Sequence, residues 1–327
     1  LFAWMVVASL FSLRWAPAFD RIVLYFSAWV LWKSARLFLR ARRDQVLALI
    51  TLAVAGSVLA VWTLFQAASG QSLMPASFGN RNLTAQFLLL PFACLLPFAG
   101  RPGLTSSGAK RWLVWMVLII IGVALGIIHS LGALLGAALA LGSVCIAWQL
   151  RDRWPVNLTR WQGRLLMLFF FLIAFGLGIR LFQSGRAMSE DSFRVRKEVW
   201  LNTLEIIQDH WLHGIGPGQF RLVYPLYRSE AEMKVYEDRP TTVAHAHNCY
   251  LEWIAELGIV GFILALWAAH RITVAAMRIL ETGEGFYWRL TLGILAALMA
   301  TDAHGFFSSN IFQPACVIGL GLLLGLF

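Results

Sequence analysis

The sequence predicts an all-α fold, a polytopic membrane helix bundle of about ten transmembrane helices with one large loop subdomain. Hydrophobic residues make up 59% of the 327 residues and charged residues only 13%, and the mean hydropathy is +0.69. An ordinary soluble domain carries about twice that share of charged residues. Apolar runs recur along the chain, and Lys and Arg concentrate in alternate connections between them.

A spanning helix needs about 20 mostly apolar residues, which gives about ten candidate segments. They lie near 1–13, 22–39, 46–66, 83–99, 112–128, 131–150, 165–182, 249–269, 286–303 and 311–327. The connection at 183–248 is polar and too long for a turn between helices. We therefore expect N-terminal transmembrane helices at 1–182, the loop subdomain at 183–248 and C-terminal transmembrane helices at 249–327.

The distribution of cations predicts the orientation, because cytoplasmic loops of membrane proteins are enriched in Lys and Arg. The cationic connections contain Lys33, Arg36, Arg40, Arg42 and Arg43, then Arg101, Lys110 and Arg111, then Arg151, Arg153, Arg160 and Arg164, then Arg271, Arg278 and Arg289. The short connections of the other set carry little beyond Arg14 and Arg81. The long loop therefore faces outward. The net charge of +10 has the same explanation, so we expect membrane lipids and no nucleic acid as partners.

Within the long loop, residues 194–210 favour an amphipathic helix on or re-entering the outer surface. Its apolar residues at largely helical spacing are Val199, Leu201, Leu204, Ile206 and Ile207. The glycine-rich run 214–218 that follows favours a turn. A phosphate cradle is the alternative, but no strand precedes the run, as such a cradle requires.

Polar clusters collect at the outer face under this topology. They are 79–82, His129 with Ser130, the long loop, 245–248, and His304. Ionisable groups at membrane depth cost several kcal/mol, so their convergence at one level predicts a functional site. The alternative is that helix ends at an interface are simply polar.

His247 is the candidate general base, because it precedes an apolar helix whose first turns hold Glu252 and Glu256. A structural histidine and a metal site with His245 are the alternatives. Four scattered cysteines without CxxC spacing indicate neither a disulfide framework nor a zinc site, and we expect no metal.

The candidate anion ligands are cationic. Arg194 and Arg196 lie with Lys197 at the expected head of the loop helix, where they could face a phosphate or a lipid headgroup. Arg81 lies between Asn80 and Asn82 at the start of an apolar helix, which favours hydrogen bonding to a polar group.

Several motifs resemble those of the O-antigen ligase and Wzy-type polymerase superfamily. HNCYLEWIAELGIVG, from His247, resembles the family signature of His-Asn, nine residues, Gly, two residues, Gly. The helix start of the family, which contains GNxN, resembles SFGNRNLTAQFLL. The family's Arg-x-x-x-Trp and Gly-x-Gly block resembles RKEVW followed by HWLHGIGPGQF. Its closing segment resembles the residues from His304 to Pro314. These motifs follow the family order over most of the chain.

The resemblance implies a multi-pass protein of the bacterial inner membrane and an inverting glycosyltransferase of the GT-C type, with its active site facing the periplasm. It would transfer a glycan from an undecaprenyl diphosphate carrier to an acceptor hydroxyl, without cofactor or metal. Carried over by position, His247 is the base and Arg196 binds the diphosphate. We also expect Arg81, Arg194, Asn248, Asn82 and His304 to bind substrate.

Two positions depart from the family pattern. The family commonly has the motif Ser-Arg-Gly-Ala after a periplasmic turn, and Leu131 takes the place of its arginine. Ser308 takes the place of the aspartate that the closing segment usually has. Arg81, Arg194 or Arg186 could substitute for the missing arginine.

The leading hypothesis is O-antigen ligation to lipid A-core. The alternatives are a polysaccharide polymerase, a protein O-oligosaccharyltransferase, a transporter or flippase, and an inactive protein that binds lipid-linked glycan. A transporter should place polar groups near the bilayer midplane, where the sequence has little beyond Arg180.

Overall fold

A computed structural model describes residues 1–70, 78–100, 108–150, 190–235, 243–309 and 313–326. The candidate span at 165–182, Arg180 and Arg186 lie outside these ranges. The described residues form α-helices and short 3-10 turns without any strand, which confirms the predicted all-α class.

The helices follow the predicted apolar segments closely. They are α1 (Phe2–Ala8), α2 (Trp15–Phe38), α3 (Arg42–Ala68), α4 (Arg81–Ala99), α5 (Gly108–Ile128), α6 (Leu131–Leu150), α7 (Glu190–Asp209), α8 (Phe220–Val223), α9 (Glu230–Val235), α10 (Cys249–Thr282), α11 (Gly285–Gly305) and α12 (Pro314–Gly325). The 3-10 turns are Ser9–Phe11 and Tyr224–Tyr227.

Four helices of the described part, α3, α4, α6 and α10, are long and apolar enough to cross a membrane. Shorter apolar helices cover Phe2–Phe11, Trp112–Ile128 and Pro314–Gly325. The chain is thus a helical membrane protein. The count of about ten spans remains a prediction, and the predicted segments 1–13 and 311–327 form helices shorter than the roughly 20 residues that a bilayer requires.

Helix α4 forms the centre of the bundle. It packs against α3, α5, α6, α11 and α12, and almost all of its residues from Thr84 to Ala99 are buried. In contrast, Ile50, Val54 and Val58 of α3 repeat on one exposed face, as expected for side chains that contact lipid tails. The polar ends of α4, α6, α7, α10 and α11 hold the residues of the candidate site.

Helix α7 lies outside the main bundle core and has a small core of its own. Val199 and Ile206 are fully buried there against Phe220, Tyr224 and neighbouring apolar residues. The predicted apolar face is only partly correct, because Leu201 and Leu204 are exposed. Polar contacts, rather than apolar periodicity alone, select the buried face.

Those polar contacts centre on Glu232, whose side chain is fully buried. Its carboxylate accepts hydrogen bonds from Asn202 (2.7 Å) and Tyr224 (2.5 Å) and pairs with Arg228 (3.1 Å). Removing a partner would leave a buried charge unsatisfied, so this network fixes α9 and the 3-10 turn Tyr224–Tyr227 on α7.

Helix α10 breaks at Gly258, which has φ of +65° and ψ of −175°. The break frees carbonyl groups, and the glycine-rich loop satisfies two of them. Ile215 N–H donates to Ala255 O (2.9 Å) and Gly216 N–H donates to Glu256 O (3.0 Å). The loop is therefore a structural turn, as the sequence favours, and two of its amides are unavailable to a phosphate.

We predict that Gly258→Ala lowers the free energy of unfolding by about 2 kcal/mol or more. An alanine at φ of +65° is strained, and its Cβ would overlap the backbone of Leu212. Thermal unfolding in detergent measures the effect. Gly126→Ala is the matched control, because a Cβ there has no neighbour within 4 Å. Equal melting temperatures for both variants would contradict this account of the helix break.

Candidate active site

The N-terminus of α10 places His247 at the centre of the candidate site. His247 adopts a left-handed backbone conformation (φ +54°), which is uncommon for a residue other than glycine. Asn248 is the N-cap, and its Oδ1 accepts hydrogen bonds from the backbone N–H groups of Tyr250 (3.0 Å) and Leu251 (3.2 Å). Strained backbone that its surroundings hold in place is typical of functional sites.

The loop that carries His247 is held by Glu252, which is fully buried. One carboxylate oxygen contacts His245 Nδ1 (2.8 Å) and the other accepts the N–H of Ala246 (2.8 Å). Arg21, from α2, lies 3.8 Å from the same carboxylate. Glu252 thus binds both residues that precede His247 in the chain.

Helix α7 approaches the same loop from the other side. Trp200 donates its indole N–H to the carbonyl of Ala246 (3.0 Å), and Arg196 donates from Nη1 to the carbonyl of Phe307 (3.0 Å). Burial, and then the positive charge of Arg81, lower the pKa of Arg196, so the charges of the two guanidinium groups interact. Among the described residues, no salt bridge neutralises either arginine. Two neighbouring cations without a counter-ion favour anion binding.

His304 completes this cationic side of the site. It is fully buried near the end of α11, and its Nε2 lies 3.4 Å from Ser130 Oγ. In the described part of the chain, two nearby polar atoms, His129 Nδ1 and Ser309 Oγ, are buried without a hydrogen-bond partner. Unsatisfied buried polar atoms are rare in proteins and fit a site that awaits a polar ligand.

The remaining predicted site residues are placed differently. Helix α7 begins at Glu190, so Arg194, Arg196 and Lys197 lie within the helix and not, as was predicted from the sequence, at its N-terminus. Backbone N–H groups within a helix are already hydrogen-bonded and cannot bind an anion. The Arg194 side chain is exposed. The backbone N–H of Asn82 donates to Asn80 Oδ1 (2.8 Å) beside Arg81. The Asn248 side-chain oxygen caps α10, which is a structural role.

The comparison with known proteins agrees with these motifs. Residues 115–266 match the family model described as O-antigen ligase. The chain carries the domain of an O-antigen ligase-like family. No curated protein matches the chain significantly. The matched range contains Arg196 and His247, whereas Arg21, Arg81 and His304 lie outside it.

The structure bears on the departure at Leu131, one of the two from the family pattern. Leu131 is the first residue of α6, directly after Ser130, so the missing arginine would stand beside His304. Of the three arginines that could substitute, Arg81 lies near Arg196, Arg194 is exposed, and Arg186 is outside the described residues. Arg81 is therefore the best placed substitute.

The sequence did not indicate Arg21, and it gave Glu252 only as a charge near a helix N-terminus. The contact of Glu252 with the loop has a local signal, because an acidic residue in a first helical turn often binds preceding backbone N–H groups. Arg21 has none. It lies 231 residues from Glu252 along the chain, and only the packing of α2 against the loop brings the two together.

Burial, and then the charges of Arg196 and His245, lower the pKa of His247 to about 4. The usual pKa of histidine is about 6.5, so His247 is neutral at neutral pH. A neutral imidazole can accept a proton, which is the form that a general base requires. A bound diphosphate would add negative charge and raise this pKa, strengthening the base.

The pH dependence of transfer follows from this pKa. His247 loses its basic form only as the pH falls through its lowered pKa. We therefore expect kcat/KM to stay constant as the pH is lowered past about 6.5, the usual pKa of histidine, and to fall only at more acidic pH. The acidic fall of kcat should occur at higher pH than that of kcat/KM, because kcat reports the complex in which the bound diphosphate raises the pKa of His247. His245→Gln removes one of the charges that lower the pKa and should shift the kcat/KM limb upward. A kcat/KM limb at about 6.5 in both proteins would contradict this electrostatic account.

Proposed function

We propose that this protein transfers a glycan from undecaprenyl diphosphate to an acceptor hydroxyl at the periplasmic face of the inner membrane, and that the reaction is ligation of O-antigen to lipid A-core. The observation that carries the proposal is a neutral His247 under the charge of Arg196, an arginine without a salt-bridge partner among the described residues, in a chain whose residues 115–266 match the O-antigen ligase family model.

In the proposed reaction, the acceptor oxygen attacks the anomeric carbon of the donor sugar and forms the new glycosidic bond. His247 takes the proton of the acceptor hydroxyl. The bond between the anomeric carbon and the diphosphate oxygen breaks, and undecaprenyl diphosphate leaves with the electron pair. Attack opposite the leaving group inverts the anomeric centre.

Arg196 and Arg81 provide the charge that this displacement needs. Negative charge grows on the diphosphate as the bond breaks, and half-buried guanidinium groups already in place stabilise it with little reorganisation. Arg196 is oriented by its hydrogen bond to Phe307 O, which leaves its other N–H groups for phosphate oxygens. The apolar helices would hold the polyprenyl chain in the bilayer.

The proposal is tested by transfer from purified undecaprenyl diphosphate glycan in vitro and by a deletion strain. Loss of polymer on lipid A with accumulation of carrier-linked polymer supports a ligase. Surface glycan limited to a single repeat indicates a polymerase, and unglycosylated protein acceptors indicate an O-oligosaccharyltransferase. Normal surface glycan in the deletion strain overturns all three.

The orientation gives a separate prediction. A cysteine at Ser229, in the proposed periplasmic subdomain, should react with an impermeant maleimide in intact spheroplasts, and a cysteine at Arg42 only after lysis, because cation-rich loops stay cytoplasmic. Cys94, Cys249 and Cys316 are buried, so labelling of the parent protein supplies the background. The reverse pattern would move the site to the cytoplasmic face.

A further inference from the structure

A cavity with several charged side chains in its lining adjoins the loop that carries His247. It has a volume of about 380 Å³, within the range of small-molecule sites, and Asp20, Arg21, Arg221, His245 and Glu256 contribute to its lining. Arg196, Arg81 and His304 do not line it. The cavity thus differs from the cationic side of the site in both place and composition.

We propose that this cavity is the acceptor subsite and binds a hydroxyl-rich sugar. This inference rests on the proposed function. Group transfer between two substrates needs two binding places that meet at the base, and His245 connects the cavity wall to His247, two residues further along the chain.

The lining suits a sugar better than a diphosphate. Carboxylates of Asp20 and Glu256 accept hydrogen bonds and the guanidinium groups of Arg21 and Arg221 donate them, which matches hydroxyl groups that do both. The carboxylates offset the charges of the two guanidinium groups, so the lining lacks the uncompensated pair of arginines that would favour a diphosphate.

One wall of the cavity is preorganised. Glu256 is buried, and its Oε1 accepts the backbone N–H of Phe220 (3.2 Å). Arg21 is held beside Glu252, the residue that also binds His245 and Ala246. Asp20 and Arg221 are exposed, so they can be changed without disturbing a core.

Isothermal titration of the detergent-solubilised protein with core oligosaccharide, released by mild acid from rough lipopolysaccharide, tests the proposal. The double variant Asp20→Asn/Arg221→Gln should weaken binding at least about tenfold, because charged hydrogen bonds contribute roughly that much each. Arg14→Gln is the matched control. Arg14 is an exposed arginine outside the cavity, and its contacts with Gln219 are made by its backbone.

A parallel titration with undecaprenyl diphosphate should give equal affinity for wild type and the double variant. The subsite is overturned if wild type does not bind the oligosaccharide, if the double variant binds it as tightly, or if the double variant also loses undecaprenyl diphosphate. The proposed function fails differently, through a lack of glycan transfer by wild type whatever the oligosaccharide affinity. His247→Ala should bind the oligosaccharide like wild type.

Discussion

His247→Ala should lower the turnover of glycan transfer by roughly 10²–10⁴-fold, the usual contribution of a positioned general base, with little change in donor affinity. The acceptor hydroxyl is a poor nucleophile until its proton is removed, and a neutral His247 next to the proposed donor site is placed to remove it. The donor contacts its arginines whether or not the imidazole is present.

The backbone of His247 requires a second variant, because φ of +54° strains alanine more than asparagine. His247→Asn tolerates that conformation and also lacks a general base, so both variants should lose turnover while size exclusion in detergent shows folded protein. His270→Ala changes an exposed histidine near the other end of α10 and should be silent. His245→Ala should be milder than His247→Ala. Near-normal turnover by a folded His247 variant would make this histidine structural.

Arg196→Ala should weaken donor binding and also lower turnover by roughly 10²–10³-fold, because charge on the diphosphate increases in the transition state. The side chain is half-buried and its Nη1 is fixed by Phe307 O, so a solvent cation is a poor replacement for it. Arg196→Lys should recover only part of the loss, since an ammonium group does not reproduce the planar fork of guanidinium donors.

Lys197→Ala is the control for Arg196, because Lys197 is the exposed cation that follows it in α7. Its removal should leave the rate of glycan transfer nearly unchanged and alter only how that rate depends on salt concentration. Titration of each variant with undecaprenyl diphosphate separates binding from turnover. If Arg196→Ala bound the carrier as tightly as wild type, the arginine would act on loop structure, through Phe307, and not on the diphosphate.

The sequence predicted the helical class because spanning helices need long apolar runs, and such runs are visible without any tertiary information. Helices α3, α4 and α6 therefore begin and end within a few residues of the predicted segments, whereas α10 begins as predicted but extends to Thr282, well beyond the predicted end at 269. The glycine-rich turn was predictable for a similar reason, since Gly214, Gly216 and Gly218 all adopt positive φ. The motif around His247 was recognisable because its spacing is local.

The buried face of α7 was not predictable from apolar periodicity. Leu201 and Leu204 are exposed while Asn202 is buried, because a carboxylate from α9 supplies its partner. No periodic pattern encodes a hydrogen bond between residues 30 positions apart.

By itself, the sequence determined that this protein is an all-helical membrane protein with a ligase-like motif and one candidate base. Tertiary structure alone decided which charges surround that base. The charge of Arg196 acts on His247, the charge of Arg81 acts on Arg196, and Arg21 reaches Glu252, from helices far apart in the chain. Hydrophobicity along a chain specifies which segments are buried, whereas the pairing of distant charges depends on how those segments pack side by side.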